Sequence, residues 1–213
     1  MKHLIGPLQG SVKDVFEELN SEYKRISNLQ LNFPHLEQRS AGWASDLKRV
    51  KVAVSESIQQ PIFEIVNQMA TVERMLECFE WILSSESRLA SCWVDVCHPT
   101  TSSGDDDNDL VLFDKMGGTC VARFECSDVM GQKDSNGKSR RDIQSLMNAS
   151  HSERERLFVV TSEELGDLIA RRFDQAVRAV HSPDLKRTRV IEIIQGQMKD
   201  ILESKTQKSR KAA

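Results

Sequence analysis

The chain has 213 residues, 39% of them hydrophobic and 29% charged, which suits one medium domain or a domain with a helical extension and excludes a disordered polypeptide. Its net charge of −3 gives no global nucleic-acid signature. No apolar run is long enough to span a membrane, and the N-terminus, Met-Lys-His-Leu-Ile-Gly-Pro, lacks the apolar stretch of a signal peptide. The five cysteines, at 78, 92, 97, 120 and 126, are an odd count set mostly in apolar runs, so reduced core thiols in a cytoplasmic protein are expected. Cys92, Cys97 and His98 are close in sequence, but no paired Cys-x-x-Cys knuckle accompanies them and structural zinc is not expected.

The first helical pattern covers residues 11–32, with Val12, Val15, Phe16, Leu19, Tyr23 and Ile26 at helical spacing and Ser11 as N-cap. After Pro34 and Gly42 a second pattern covers roughly 44–60. Pro61 starts or kinks a third, which runs to about Ser84 with Ile62, Ile65, Val66, Met69, Val72, Met75, Leu76, Phe79 and Leu83 on its apolar side. Residues 1–61 therefore read as an N-terminal helical region, with helices preceding any strand.

The period then changes. Leu89 to Cys97 reads as a strand stopped by His98-Pro99, and a polar loop occupies 100–108. Residues 109–114 and 119–129 form a hairpin across Gly117-Gly118. A second polar loop, 131–137, leads into a helix near 138–148, and Arg156 to Thr161 is a short strand. Ser162 caps a long helix that ends at Pro183 and carries Leu165, Leu168, Ile169, Phe173, Val177 and Val180 on one face. A last amphipathic helix, about 184–204, holds Leu185, Val190, Ile193, Ile194, Met198, Ile201 and Leu202, and a frayed basic end follows. From residue 62 the order is helix, strand, strand, strand, helix, strand, helix. The antiparallel hairpin inside it predicts an α/β (α+β) fold, a mixed four-stranded sheet with helices on its faces. The core spans 62–182, and 183–213 is a C-terminal helix with a basic tail.

Two acids stand out within that order. Asp109 opens the run Asp-Leu-Val-Leu-Phe, and Glu125 closes Thr-Cys-Val-Ala-Arg-Phe-Glu. An acid at the start of one hairpin strand and another near the end of its partner fall at the same end of the hairpin, where they can share a divalent ion. Alternation puts Val121, Arg123, Glu125 and Ser127 on one face, and Cys120, Ala122, Phe124 and Cys126 on the other, which should meet a helix. A plainer reading of Asp109 is a loop-to-strand cap, and of Glu125 a solvated strand end.

The element order and the acid pair together resemble the PD-(D/E)XK nuclease superfamily, the restriction-endonuclease-like fold. Its core order is αβββαβα. Its motif is an acid at the start of the second core strand, then Glu or Asp, any residue and Lys on the third. Asp109 matches the first position and Glu125-Cys126-Ser127 occupies the second, with fifteen residues, 110–124, between them. The resemblance covers about 62–180 and implies a nuclease, or nuclease-like subunit, that acts on DNA phosphodiesters with magnesium or manganese held by Asp109 and Glu125. Ser127 departs from the motif, because serine cannot supply the lysine's positive charge. One reading moves the lysine to Lys138 or Lys133, with Arg141 a turn further on. The other is a catalytically inactive nuclease fold that serves as a protein-interaction subunit of a nucleic-acid-processing or defence complex.

Further candidates are weighed around this pair. The family often recruits a Glu from the first core helix. Glu73, Glu77 and Glu80 share one helix face here; a solvated face is the plainer reading, and Glu77 is the choice if one is a ligand. His98 lines the site or serves as a turn histidine. Asp95, unusual inside a strand, pairs with a basic residue or approaches the acidic centre. Asp128 is a further ligand candidate that alternation points away from Glu125. The acidic loop 105–108 opposes tight duplex binding, whereas Lys186, Arg187 and Arg189 offer phosphate contacts that salt would weaken. Amphipathic helices leave a protein partner or homodimer open as well.

Overall fold

Ser11 caps the first helix as its position predicts. Its hydroxyl oxygen accepts a hydrogen bond from the Asp14 backbone N–H at 3.2 Å, and the hydroxyl donates to the Asp14 carboxylate at 2.6 Å. This helix, α1 (Val12–Ser27), buries Val12, Val15, Leu19 and Ile26. The structure, a computed structural model, describes residues 5–28, 51–55, 58–96, 109–127, 138–147, 155–160, 166–181, 188–194 and 197–200.

A strand precedes that helix, contrary to expectation. Strand β1 (Leu8–Ser11) pairs antiparallel with β4 (Trp93–Val96), Leu8 opposite Val96. Four residues are too few for a two-residue period to stand out in a sequence. Residues 51–55 and 58–60 also depart from the expected helix. Strands β2 (Lys51–Ser55) and β3 (Ile58–Pro61) form an antiparallel hairpin with a register shift between Ala53 and Ser55. Val52 and Val54 are β-branched and alternate, which favours a strand. The rest of that expected helix, 44–50, lies outside the described residues.

Pro61 does start the next helix, α2 (Ile62–Ser85). Its buried stripe runs through Ile65, Gln68, Val72, Met75, Phe79 and Ile82, a three–four alternation, and takes in Cys78 and Trp81. Val66, expected on the apolar side, is 53% exposed because it lies well around the helix from the middle of the stripe, and Leu83, in the last turn, is 36% exposed. The Phe16 and Phe79 rings meet at 6.2 Å with a 50° tilt, seating α1 on α2. The first half of the expected strand 89–97 is instead a helical turn, α3 (Ser87–Ala90). There Leu89 and Ala90 N–H donate to the Glu86 carbonyl at 2.8 and 2.9 Å.

The hairpin follows as expected in β5 (Leu110–Phe113) and β6 (Cys120–Ser127). Gly117 has φ 64°, a left-handed turn conformation suited to glycine. Asp114 ties the turn through its own N–H to the Thr119 carbonyl (3.0 Å) and through Oδ1, which accepts from Thr119 N–H (2.8 Å). The chain continues through α4 (Lys138–Met147), β7 (Glu155–Val160) and α5 (Gly166–Ala179), close to the expected bounds. The proposed cap Ser162 lies outside the described residues.

The C-terminal segment overturns the last expected helix. Residues 188–194 and 197–200 form two antiparallel strands, β8 (Thr188–Ile194) and β9 (Gln197–Asp200). The spacing of Val190, Ile193, Ile194 and Met198 fits a helix by coincidence. The β-branched density of Thr-Arg-Val-Ile-Glu-Ile-Ile is the stronger signal, and it favours a strand.

The result is a mixed α/β fold with a seven-stranded sheet, not four strands, in the order β1-β4-β5-β6-β7-β8-β9. The first four strands are mutually antiparallel. Strands β6, β7 and β8 are parallel, and β9 turns back. One face carries Val94, Val96, Leu110, Leu112, Ala122, Phe124 and Cys126 into a core shared with α1 and α2. Residues 8–26 thus join the same core as 65–96 and 110–126 instead of forming a separate helical region. Val111, with Ile143, Leu146 and Met147 of α4 and Phe173 and Ala176 of α5, is buried outside that cluster.

Candidate functional site

The hairpin register decides where the two acids stand. Leu110 pairs with Phe124 and Val111 with Arg123, so one step outward Asp109 stands opposite Glu125. Residues opposite each other in an antiparallel pair share a face. Asp109 is half-buried at the mouth of β5. Its Oδ2 accepts a hydrogen bond from Cys126 N–H at 2.7 Å, a charge-assisted bond that fastens the start of β5 to the end of β6. Glu125 is only 9% exposed, so it is not the solvated strand end of the plainer reading.

Cys126 itself is buried. A hydrogen bond with Cys78 and burial push its thiol well above the ordinary range, and the charges of Cys78, Asp109 and Glu125 add to the effect. The Cys126 sulfur lies 3.6 Å from Cys78 Sγ of α2, so the apolar face of β6 meets a helix as expected.

Two carboxylates suit a hard divalent ion, which takes oxygen ligands and in the case of magnesium keeps several waters. Among the described residues, no three His, Cys, Asp or Glu side chains form a group able to hold a metal, so Glu77 does not join Asp109 and Glu125 as a third ligand. Glu77 Oε1 instead accepts from Arg74 Nη1 at 2.7 Å, and its buried Oε2 has no hydrogen-bond partner. The face of Glu73, Glu77 and Glu80 is not uniformly solvated either: Glu80 is exposed, but Glu73 and Glu77 are half-buried.

Among the described residues, Asp95 has no basic ion-pair partner and belongs to no group able to hold a metal. Its Oδ2 accepts from Gln9 Nε2 at 3.1 Å across the β1–β4 pair. Lys138 is the first residue of α4, and Arg141 is exposed on the same helix. Arg189 sits in β8, in register with Leu157. The side chains of Ser127, Lys138 and Arg189 lie outside the described residues. So do the whole of Lys133, Lys186, Arg187, His98, Asp128 and the loop 105–108.

One polar assembly was not legible in the sequence. Tyr23 of α1 donates its hydroxyl to Glu73 Oε1 of α2, while Arg74 reaches Glu73 Oε2 at 3.5 Å. Tyr23 fell within the apolar stripe, and helical spacing alone does not pair it with an acid 50 residues away. The hydrogen bond to Glu73, with burial and that residue's charge, raises the Tyr23 pKa from 10.0 to about 12. A raised folded-state value means the bond contributes fully below the unfolded value of 10.0 and is lost as pH climbs toward about 12. Because the chain has one tyrosine, the tyrosinate absorbance reads this group alone. The native protein is expected to titrate near 12 and Glu73→Gln nearer 10.0, and a native midpoint at 10.0 would refute the bond.

No family model, curated protein or solved structure matches this chain. Among the described residues, no helix is long and apolar enough to cross a membrane. Function must therefore be argued from the acid pair.

Proposed function

We propose that this protein is a divergent, metal-dependent nuclease of the restriction-endonuclease-like kind, acting on DNA phosphodiesters at the Asp109–Glu125 pair. The observation that carries the reading is the placement of these two carboxylates opposite each other, one of them anchored to Cys126 N–H. The succession α2, α3, β4, β5, β6, α4, β7, α5 supports it: with the single-turn α3 counted as part of the first helix it is compatible with the order αβββαβα, Asp109 preceding the second of those strands and Glu125 lying near the end of the third.

Asp109 and Glu125 would hold magnesium or manganese through carboxylate oxygen. A bound ion of this class activates water and offsets charge on the phosphate in flight. Cys126 N–H fixes the Asp109 carboxylate, and burial limits the motion of Glu125. Ser127 supplies no positive charge, so that task falls to Lys138 at the head of α4, with Lys133 the other candidate. Lys186, Arg187 and Arg189 would contact substrate phosphates.

The test is incubation of the full chain with duplex and single-stranded DNA in Mg²⁺ or Mn²⁺. Cleavage that a chelator stops and Glu125→Gln abolishes is expected. Inertness toward both substrates with either ion would sink the proposal. A second reading, a catalytically inactive nuclease fold that binds a protein partner, is favoured by Ser127 at the lysine position. It requires Asp109→Asn and Glu125→Gln to leave biological function intact.

A further inference from the structure

The thiols of Cys78 and Cys126 face one another across the α2–β6 contact, sulfur to sulfur at 3.6 Å, with both residues buried. The other two described cysteines have different partners: Cys92 and Cys120 donate to the carbonyls of Arg88 and Ala122. Cys78 and Cys126 are free thiols. A disulfide needs the sulfurs at about 2.05 Å, so the gap to be closed is short, although the two residues lie 48 positions apart.

We infer that Cys78 and Cys126 form an oxidisable dithiol whose disulfide clamps α2 to the strand that carries Glu125. Because both sulfurs are buried, the oxidant must be small, and hydrogen peroxide meets that need. Cys78, once deprotonated, attacks one oxygen of the peroxide; the O–O bond breaks and the departing hydroxide takes up the released proton, giving a sulfenic acid and water. The second thiol then attacks the sulfenic sulfur, displacing water as the S–S bond forms. Two thiols are oxidised by two electrons while one peroxide is reduced to two waters. Cross-linking positions 48 apart restricts the unfolded chain far more than the folded one. The inference stands independently of any metal at Asp109 and Glu125.

The experiment uses the full chain treated with hydrogen peroxide, digested without reductant and mapped by mass spectrometry. A linked Cys78–Cys126 peptide is expected, absent after dithiothreitol and absent from Cys78→Ala. The oxidised protein should melt higher by on the order of 10 °C, a gain that dithiothreitol removes. Comparing one oxidised sample before and after reductant separates the disulfide from methionine oxidation, which dithiothreitol does not reverse. Free thiols at 78 and 126 after peroxide, or a link from either to another cysteine, would overturn the inference. A Cys78–Cys126 link with no change in melting would overturn the clamp. The wild-type map decides the matter even if Cys78→Ala does not fold.

Discussion

Phe124→Ala is expected to lower stability by about 3–5 kcal/mol, the range for truncating a fully buried aromatic. Phe124 has no exposed surface, lies in the core shared by α1, α2 and the sheet, and pairs with Leu110 on one side and Leu157 on the other. Both strands beside β6 would lose packing at once. A domain holds only about 5–15 kcal/mol in total, so much of the reserve would go. Urea unfolding followed by fluorescence measures the change. Met116→Ala is the control: Met116 is 74% exposed at the hairpin tip and should shift stability by no more than about 0.5 kcal/mol. Equal effects at the two positions would contradict the described core.

Asp109→Ala is expected to act on stability and on activity through different atoms. It removes the acceptor of Cys126 N–H, and an orphaned backbone donor costs about 1–3 kcal/mol. Relief of charge repulsion between Asp109 and Glu125 offsets part of this. Under the proposed nuclease reading Asp109 would be a metal ligand; removing a group that merely orients such a ligand costs roughly 10–100-fold, so its loss should reduce cleavage more than ~100-fold. Asp109→Asn separates the effects. Its amide oxygen can still accept from Cys126 N–H, so stability should stay near wild type while cleavage falls. Cleavage that survives both substitutions would remove Asp109 from the site.

The hairpin was legible because its signals are local: a Gly-Gly turn, alternating apolar residues and an acid at each end. The opposition of Asp109 and Glu125 followed from those signals. The bond from Cys126 N–H to Asp109 was not readable, nor was the irregularity between Leu112 and Phe113 that skips Val121. The Cys78–Cys126 and Tyr23–Glu73 contacts were hidden for another reason: each joins elements whose mutual placement no periodicity encodes. At β8, two periods fitted the same residues, and partnership with β7 selected the extended one.

The antiparallel β1–β4 pair carries a cost in time. Gln9 and Asp95, bonded across it, are 86 residues apart. A nascent chain therefore holds Leu8 to Ser11 without a strand partner until Trp93 to Val96 have emerged and folded back. Contacts this distant in sequence slow the search for the native state, since loop closure must precede any gain from pairing. Helix α1, nucleated locally by Ser11, can form early and carry β1 as a passenger, ready to dock when β4 arrives.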